Sequence, residues 1–408
     1  MRRPTCRAVV TVTAAAGLLT AVAVPALAGN APAVPGGFGT QQAELVGRSV
    51  LPASTFGEQI PSGAQVSPAN GVQTPFAAQP VQGFSGILKD GADWLVLEDN
   101  GYGTKANSAD FLLRVVRLHI DTATQKTTVV PGGFGLSDPN HELPFSLVRT
   151  DRRLTGADLD PESFQRVADG TYWIGEEFGP SMVHVDAQGR VLAAPVQPDG
   201  VRSPDAWNLG GATPTLASSK GFEGMALGVD GHTLYPMLEG AVAGDDPATR
   251  RIYRFDTRTG KYTGLKAKVR MEVAGDSIGD MVALDQNRFL ILERDNEQGP
   301  AARLKAVYEI DTRDADRDGY ADKTLLVNEL AVPDPQGVAG TPGGFFSFPF
   351  VTIEQIAVLD DHRILIGNDN NYPGSNGRTA GVPDDDEYMV VQVDQDLQVD
   401  RALGHTKR

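Results

Sequence analysis

Residues 220–240, KGFEGMALGVDGHTLYPMLEG, are the clearest copy of a unit that returns along the chain, and a repeat constrains a fold more than composition does. An acid among glycines (Gly221, Glu223, Gly224) opens the unit. A short apolar run leads to Asp230 and Gly231, and a second apolar run, Thr233–Leu238, closes on Glu239. Asp-Gly between two β-prone runs marks a hairpin, because both residues tolerate φ > 0. The unit therefore reads as strand, turn, strand, with a carboxylate at each outer end.

Four other stretches share this grammar. Ser85-Gly-Ile-Leu precedes Asp90-Gly91, and the next strand ends on Glu98-Asp99-Asn100. Glu162-Ser-Phe-Gln precedes Asp169-Gly170, with Glu176-Glu177 after the second strand. Asp280-Met-Val-Ala-Leu leads through a turn near 285–287 to Glu293-Arg294-Asp295, and Glu354-Gln-Ile-Ala-Val leads through Asp360-Asp361 to Asn368-Asp369-Asn370. The units begin at 85, 162, 223, 280 and 354. Fixed order at irregular spacing predicts an all-β chain folded as a β-propeller with variable loops, since one small sheet cannot bury both faces alone. Five repeats are visible and six blades are expected. The sixth would come from the N-terminal strand at 45–51 with C-terminal residues, or from one of the longer intervals. Pro-Gly-Gly-Phe, at Pro35, Pro131 and Pro342, reads as a turn each time.

Three basic residues (Arg2, Arg3, Arg7), an apolar run over 8–24 and Ala26-Leu27-Ala28 predict a secretory signal over 1–28, cleaved after Ala28. Residues 29–42 read as a flexible leader and 43–408 as the propeller domain. The only cysteine, Cys6, leaves with the signal, so disulfides, thiol nucleophiles and cysteine metal sites are excluded from the mature chain. The 408-residue chain carries a formal charge of −16, a field that repels nucleic acid and anionic lipid. The expectation is a secreted monomer that takes a small extracellular molecule and, once the signal is gone, no membrane.

In a propeller the first strand of each unit lines the channel, so Glu162, Glu223, Asp280 and Glu354 would converge from different blades. Asp99, Glu177, Glu239, Glu293, Asp295 and Asp369, at the ends of second strands, would lie near one rim or on loops beside it. A hard cation such as Ca²⁺ takes six to eight oxygen ligands, and such a ring supplies them. The metal set expected in the channel is Asp99, Glu177, Glu223, Glu239, Asp295, Glu354 and Asp369. A second pattern is local: Asp314, Asp316, Asp318 and Asp322 stand at loop positions 1, 3, 5 and 9, Gly319 is at 6, and the Tyr320 carbonyl is available at 7. Leu325 replaces the bidentate Glu of an EF-hand at position 12, so the loop is expected to hold a structural Ca²⁺ only. The six histidines show no paired metal spacing, and Gly83-Phe-Ser85-Gly86 lacks the spacing of a nucleophile elbow.

These segments resemble the phytase-like family, described as esterase-like activity of phytase. The resemblance rests on GFEGMAL with DGHTLYPMLEG, DGTYWIGEEFGPSMVHVDAQGRVL, SIGDMVALDQNRFLILERD and FPFVTIEQIAVLDDHRILIGNDNNYP, and GFSGILKDGADWLVLEDNG is similar to its opening repeat. It runs from about residue 45 to 393. It implies a secreted propeller and, by relation to calcium-dependent propeller phytases, hydrolysis of phosphate esters with Ca²⁺ in the channel. Glu177, Glu223 and Asp295 are then the catalytic carboxylates, and Arg294 or Lys220 takes a phosphate oxygen. The chain departs from that expectation in having no dense Lys/Arg pocket for a highly phosphorylated substrate. Two alternatives stay open: a non-catalytic, Ca²⁺-stabilised propeller that binds an extracellular ligand, and a metal-dependent lactonase or carboxyl esterase.

Overall fold

A computed structural model describes residues 43–340 and 344–404; the expected signal, the leader and the turns at Pro35 and Pro342 lie outside the described residues. Within them the strands form five blades arranged around one axis, and a single parallel bridge, Val50 with Lys126, joins the last blade to the first. Blade 1 contains Phe84–Asp90, Asp93–Glu98, Arg114–Asp121 and Lys126–Gly135. Blade 2 contains Pro161–Arg166, Tyr172–Glu176 and Ser181–Val185, and isolated bridges from Val185 to Val191 and Met182 to Val196 complete its outer edge. Blade 3 runs Phe222–Leu227, Thr233–Leu238, Thr249–Asp256, Lys261–Arg270, and blade 4 runs Ser277–Ala283, Arg288–Arg294, Lys305–Asp311, Asp322–Asn328.

Blade 5 closes the ring. Its strands are Thr352–Asp360, Arg363–Asp369 and Asp386–Val393, and its outer strand is the N-terminal Ala43–Leu51, antiparallel to the third with Leu51 opposite Asp386. The first strands of the five blades touch in sequence order, the last against the first. The expected sixth blade is therefore absent among the described residues. The N-terminal strand pairs along the whole edge of Asp386–Val393 and touches blade 1 at one parallel bridge only, so it completes blade 5 instead of starting a new sheet. A short ribbon, Val332–Asp334 with Gly344–Phe346, packs beside it.

Five apolar cores fill the five seams between blades. Leu97 and Val115 of blade 1 meet Phe164 and Ile174 of blade 2, for example, while Ile291 of blade 4 meets Met237 of blade 3. Both faces of each sheet are covered, which explains why the second strands read as near-continuous apolar runs (Leu290, Ile291 and Leu292) rather than alternating ones. Between neighbouring inner strands, side chains bond backbone across the seams. Ser163 Oγ donates to Phe222 O at 3.1 Å and Gln355 Nε2 to Phe84 O at 3.1 Å.

Two local readings change. In the reference hairpin only Gly231 takes positive φ (+72°); Gly228 N–H bonds Thr233 O, and the Asp230 carboxylate accepts from His232 and Thr233 N–H. The loop is thus longer than a two-residue turn, and Asp230 acts through its side chain. Pro131-Gly-Gly-Phe lies inside a strand. A Cβ on Gly133 would sit 2.3 Å from Val115 O, so glycine serves close approach at a bulge rather than a turn.

Candidate metal centre at the channel mouth

Aligning the blades by strand register shows two positions per blade at one end of the channel. The first lies at the start of the inner strand, where a bulge interrupts pairing in all five blades: Ser85, Glu162, Glu223, Gly279 and Glu354 in blade order. The second follows the apolar run of the neighbouring strand and is occupied by Asp99, Glu177, Glu239, Arg294 and Asp369 in blade order. Blade 4 is the exception at both positions. Its inner slot is Gly279 because a Cβ there would lie 1.8 Å from Ile353 O, and its other slot carries a guanidinium.

Asp280, expected to converge with the other acids, is one residue deeper. Its Oδ1 accepts from Met281 N–H at 2.7 Å and its Oδ2 from Ile356 N–H at 3.1 Å, so it ties blade 4 to blade 5 through backbone. Asp295, expected among the ligands, also stands apart. It accepts from Leu304 N–H at 3.0 Å and faces the buried Lys305 ammonium at 2.9 Å, a consequence of strand alternation that turns it away from its neighbour Arg294. Of the remaining expected acids, Glu162, Glu177, Glu223, Glu239 and Glu354 are brought together and Asp160 joins them, while Asp99 and Asp369 belong to no triad and accept from Gly101 and Asn371 N–H. The signal for Asp160 is alternation: in Asp160-Pro161-Glu162 the two acids share one face of an extended strand.

Three overlapping triads place one carboxylate oxygen from each member within 4.8 Å of the others: Asp160, Glu162 and Glu177; Glu162, Glu223 and Glu354; Glu177, Glu223 and Glu239. All six are buried. Arg294 sits against one side of this cluster, with Nη2 at 2.9 Å from Glu354, 3.3 Å from Glu239 and 3.6 Å from Glu223. Lys220 closes a short ion pair with Glu239. Each of the last two triads thus contains carboxylates already compensated by a cation. The first has none in ion-pair contact; Asp160 accepts from Asn100, at 3.1 Å from its N–H and 2.7 Å from its Nδ2.

The electrostatics follow from that imbalance. Burial, then the neighbouring carboxylates, push Glu162, Glu177 and Glu223 well above the usual carboxylate range. Part-exposed Asp99 is raised well above it too, by desolvation and then by Asp369 and Asp160. Asp369 is pushed up to about 7 by burial and by Glu354. Asp160 and Glu354 are raised by burial as well, each partly offset by a carboxyl neighbour able to hydrogen-bond it, Glu162 and Glu223 respectively. Arg294 is driven further toward its charged form by Glu354, Glu239 and Glu223 against the cost of its burial. Buried carboxylate oxygens crowded within 4.8 Å of one another are the donor set that a hard divalent ion such as Ca²⁺ takes. Asp160, Glu162 and Glu177 are the residues that fit it best.

The loop at 314–322 is a separate place. Asp314, Asp316 and Asp318 bring an oxygen each within 4.8 Å of one another on the surface, and Asp314 Oδ1 is buried with no hydrogen-bond partner. Asp322 Oδ2 accepts from Ala315 N–H at 2.9 Å, holding the loop rather than joining the triad. The Tyr320 hydroxyl bonds Thr249, and the Arg270 guanidinium lies 4.1 Å over its ring.

The sequence profile of the phytase-like family, esterase-like activity of phytase, matches residues 79–372. An uncharacterized secreted protein of Arthroderma benhamiae is 28% identical over 189 residues, 37% of this chain and 37% of that protein, so the match spans little more than a third of that relative's length. An exo-β-1,3-galactanase of Phanerochaete chrysosporium superposes with a TM-score of 0.42 at 9% identity, over 84% of this chain and 64% of that one. A putative exo-β-1,3-galactanase from Bifidobacterium bifidum superposes with a TM-score of 0.41 at 12% identity, over 83% of this chain and 92% of that one. Neither likeness bears on the chemistry of the channel. The family match covers well over half of the chain and includes all five repeats, and the chain belongs to the phytase-like family.

Proposed function

We propose that this chain is an exported, Ca²⁺-dependent ester hydrolase acting at the carboxylate end of its channel. The observation that carries the reading is the triad Asp160, Glu162 and Glu177, whose oxygens crowd within 4.8 Å without a basic partner. A divalent cation held there supplies polarisation of an ester oxygen and a bound water of lowered pKa. The chain's own groups do the rest. Glu223, raised by burial and by the carboxylates of Glu239, Glu354 and Glu177, is the group suited to give a proton to a leaving oxygen, as a raised carboxyl does in general acid catalysis. Arg294 fixes Glu354 and Glu239 in place, and Lys220, with 34% of its side chain exposed, is the cation open to a substrate oxyanion. Export rests on the signal-like segment over 1–28 and on the secreted Arthroderma relative. The loop at Asp314, Asp316 and Asp318 would take a second, structural Ca²⁺.

A phosphoric monoester is the leading substrate class. The enclosure of Arg294 by three carboxylates favours a second one, an uncharged carboxylic ester or lactone, which asks for fewer cations. Initial rates on p-nitrophenyl phosphate, p-nitrophenyl acetate and δ-valerolactone decide between them. The expected result is turnover of one class, lost after chelation and dialysis and regained with Ca²⁺. Full activity after chelation would remove the cation from the mechanism. No turnover on any of the three, with Ca²⁺ only raising Tm, would leave the non-catalytic binding propeller.

A further inference from the structure

The opposite end of the channel is a second compartment, unrelated to the acids. A cavity of about 560 Å³, within the usual size of small-molecule sites, lies among the far halves of all five inner strands. Leu88, Phe164, Leu227, Met281, Ile356 and Val358 supply apolar wall. The one ionisable group deep in that wall, Asp280, has both oxygens bonded to backbone N–H groups, so nothing there calls for water. Polar groups gather only at the outer rim, and they are basic in balance. Arg166 pairs with Asp90 at 3.0 Å, and Arg117 with Asp90 and Asp93 at 3.1 and 3.0 Å. Lys89 is left over. Its ammonium lies 4.2 Å over the Trp94 ring and donates to Ala92 O at 3.2 Å, with no carboxylate in ion-pair contact.

We propose that this cavity binds an amphipathic monoanion, an aliphatic carboxylic acid of medium chain length, with its head at Lys89 and its tail in the channel. Burial of apolar chain drives entry, at roughly 0.8 kcal/mol per CH₂. Orientation is set by charge: Lys89 attracts the carboxylate at the rim, while the acid cluster beyond Asp280 repels it from the far end. Desolvation lowers the Lys89 pKa, and a bound carboxylate would offset that cost.

The test is calorimetric titration of the full chain with octanoate, decanoate and laurate below their micellar concentrations. One molecule should bind per chain, tightening with each added CH₂ until the cavity is full and then levelling off. Met281→Trp, which fills the cavity, should weaken decanoate at least tenfold. Lys89→Ala, at the rim, should weaken decanoate but leave decanol unchanged, and serves should Met281→Trp fail to fold. Absence of heat and of any Tm shift with all three acids overturns the proposal. So does equal binding to Met281→Trp in folded form, or an equal loss of acid and alcohol in Lys89→Ala. Leu403 and Gly404 line the cavity; decanoate that binds only to a chain ending at Gly404 would make residues 405–408 the occupant and likewise overturn it.

Discussion

The two ends of the channel are built from the same five strands and solve opposite problems. Ser85, Glu162, Glu223 and Glu354 stand where the inner strands begin; one to four residues later these strands present Gly86, Phe164, Leu227 and Ile356. At the mouth, bulges release the backbone from its ladder, so carboxylates such as Glu162 and Glu354 meet cations or one another rather than backbone N–H groups. Further in, the ring closes and only apolar or fully bonded groups are tolerated. Asp280 marks the boundary. It is buried like Glu354, yet its charge is met by two backbone N–H groups where Glu354 is met by Arg294 and Ser85. A carboxylate satisfied by backbone is committed to the fold, and one facing other carboxylates is available for chemistry.

The largest effect expected within the mouth itself comes from Arg294→Met. Removing one partner of a buried charge set costs about 3–5 kcal/mol, because Glu223, Glu239 and Glu354 lose their shared counter-ion. Excess Ca²⁺ should restore much of that loss and raise the bound Ca²⁺ by one ion per chain, measured by urea unfolding and by elemental analysis. A variant equally unstable with and without Ca²⁺ would mean that the mouth cannot exchange a guanidinium for a metal, and the contrast with Asp280 would fail.

Much of this was legible in the sequence, for a definite reason. Each blade repeats its acid–strand–turn–strand order because each must offer the same two positions to the axis, and so the units at 85, 162, 223 and 354 read correctly as inner strands. The blade 4 unit was misaligned by one residue because Asp280 is an acid where Gly279 holds the slot; only the close approach to Ile353 O reveals that. Asp295 looked equivalent to Asp369, but the register puts Arg294 opposite Ser277 and leaves Asp295 on the next face. The sixth blade failed for a nonlocal reason: a strand at 43–51 carries no mark of the edge at 386–393 that it completes. Nor can a sequence show which acids Arg294 compensates, since Glu223, Glu239 and Glu354 come from two blades.

The mouth should also govern how stability depends on pH when Ca²⁺ is removed. Asp369 titrates near 7 in the fold, and Glu162, Glu177 and Glu223 are raised further, against about 4 in an unfolded chain. Between these values the folded state keeps protons that the unfolded chain has lost, so stability falls as pH rises through that window. Below about 4 the contribution of the mouth levels off, and aspartates held low by their partners, such as Asp151 by Arg149 and Asp245 by Arg251, make stability fall as pH drops further. Urea midpoints from pH 4 to pH 8 should decline in EDTA and decline less steeply in saturating Ca²⁺, which replaces the protons of the mouth; the slope that remains belongs to Glu176, Glu329 and Asp280, raised by burial elsewhere. A midpoint in EDTA that climbs with pH would show that the carboxylates are already compensated by groups of the chain.

The smallest effect concerns whether the two ends feel each other. Val358 lines the lower cavity, buried, four residues beyond Glu354 and so roughly 13 Å along the strand. Val358→Ala removes two carbons and should cost about 2 kcal/mol, with cation affinity at the mouth unchanged. Combined with Arg294→Met, the two costs should add to within about 0.5 kcal/mol, as they do for sites without shared partners. Asp280 is the one side chain placed to break this independence, because its bond to Ile356 N–H joins the strand that carries both Glu354 and Val358. A coupling above about 1 kcal/mol in the double-mutant cycle, abolished by Asp280→Asn, would identify that bond as the link, and the channel would then be one site with two faces.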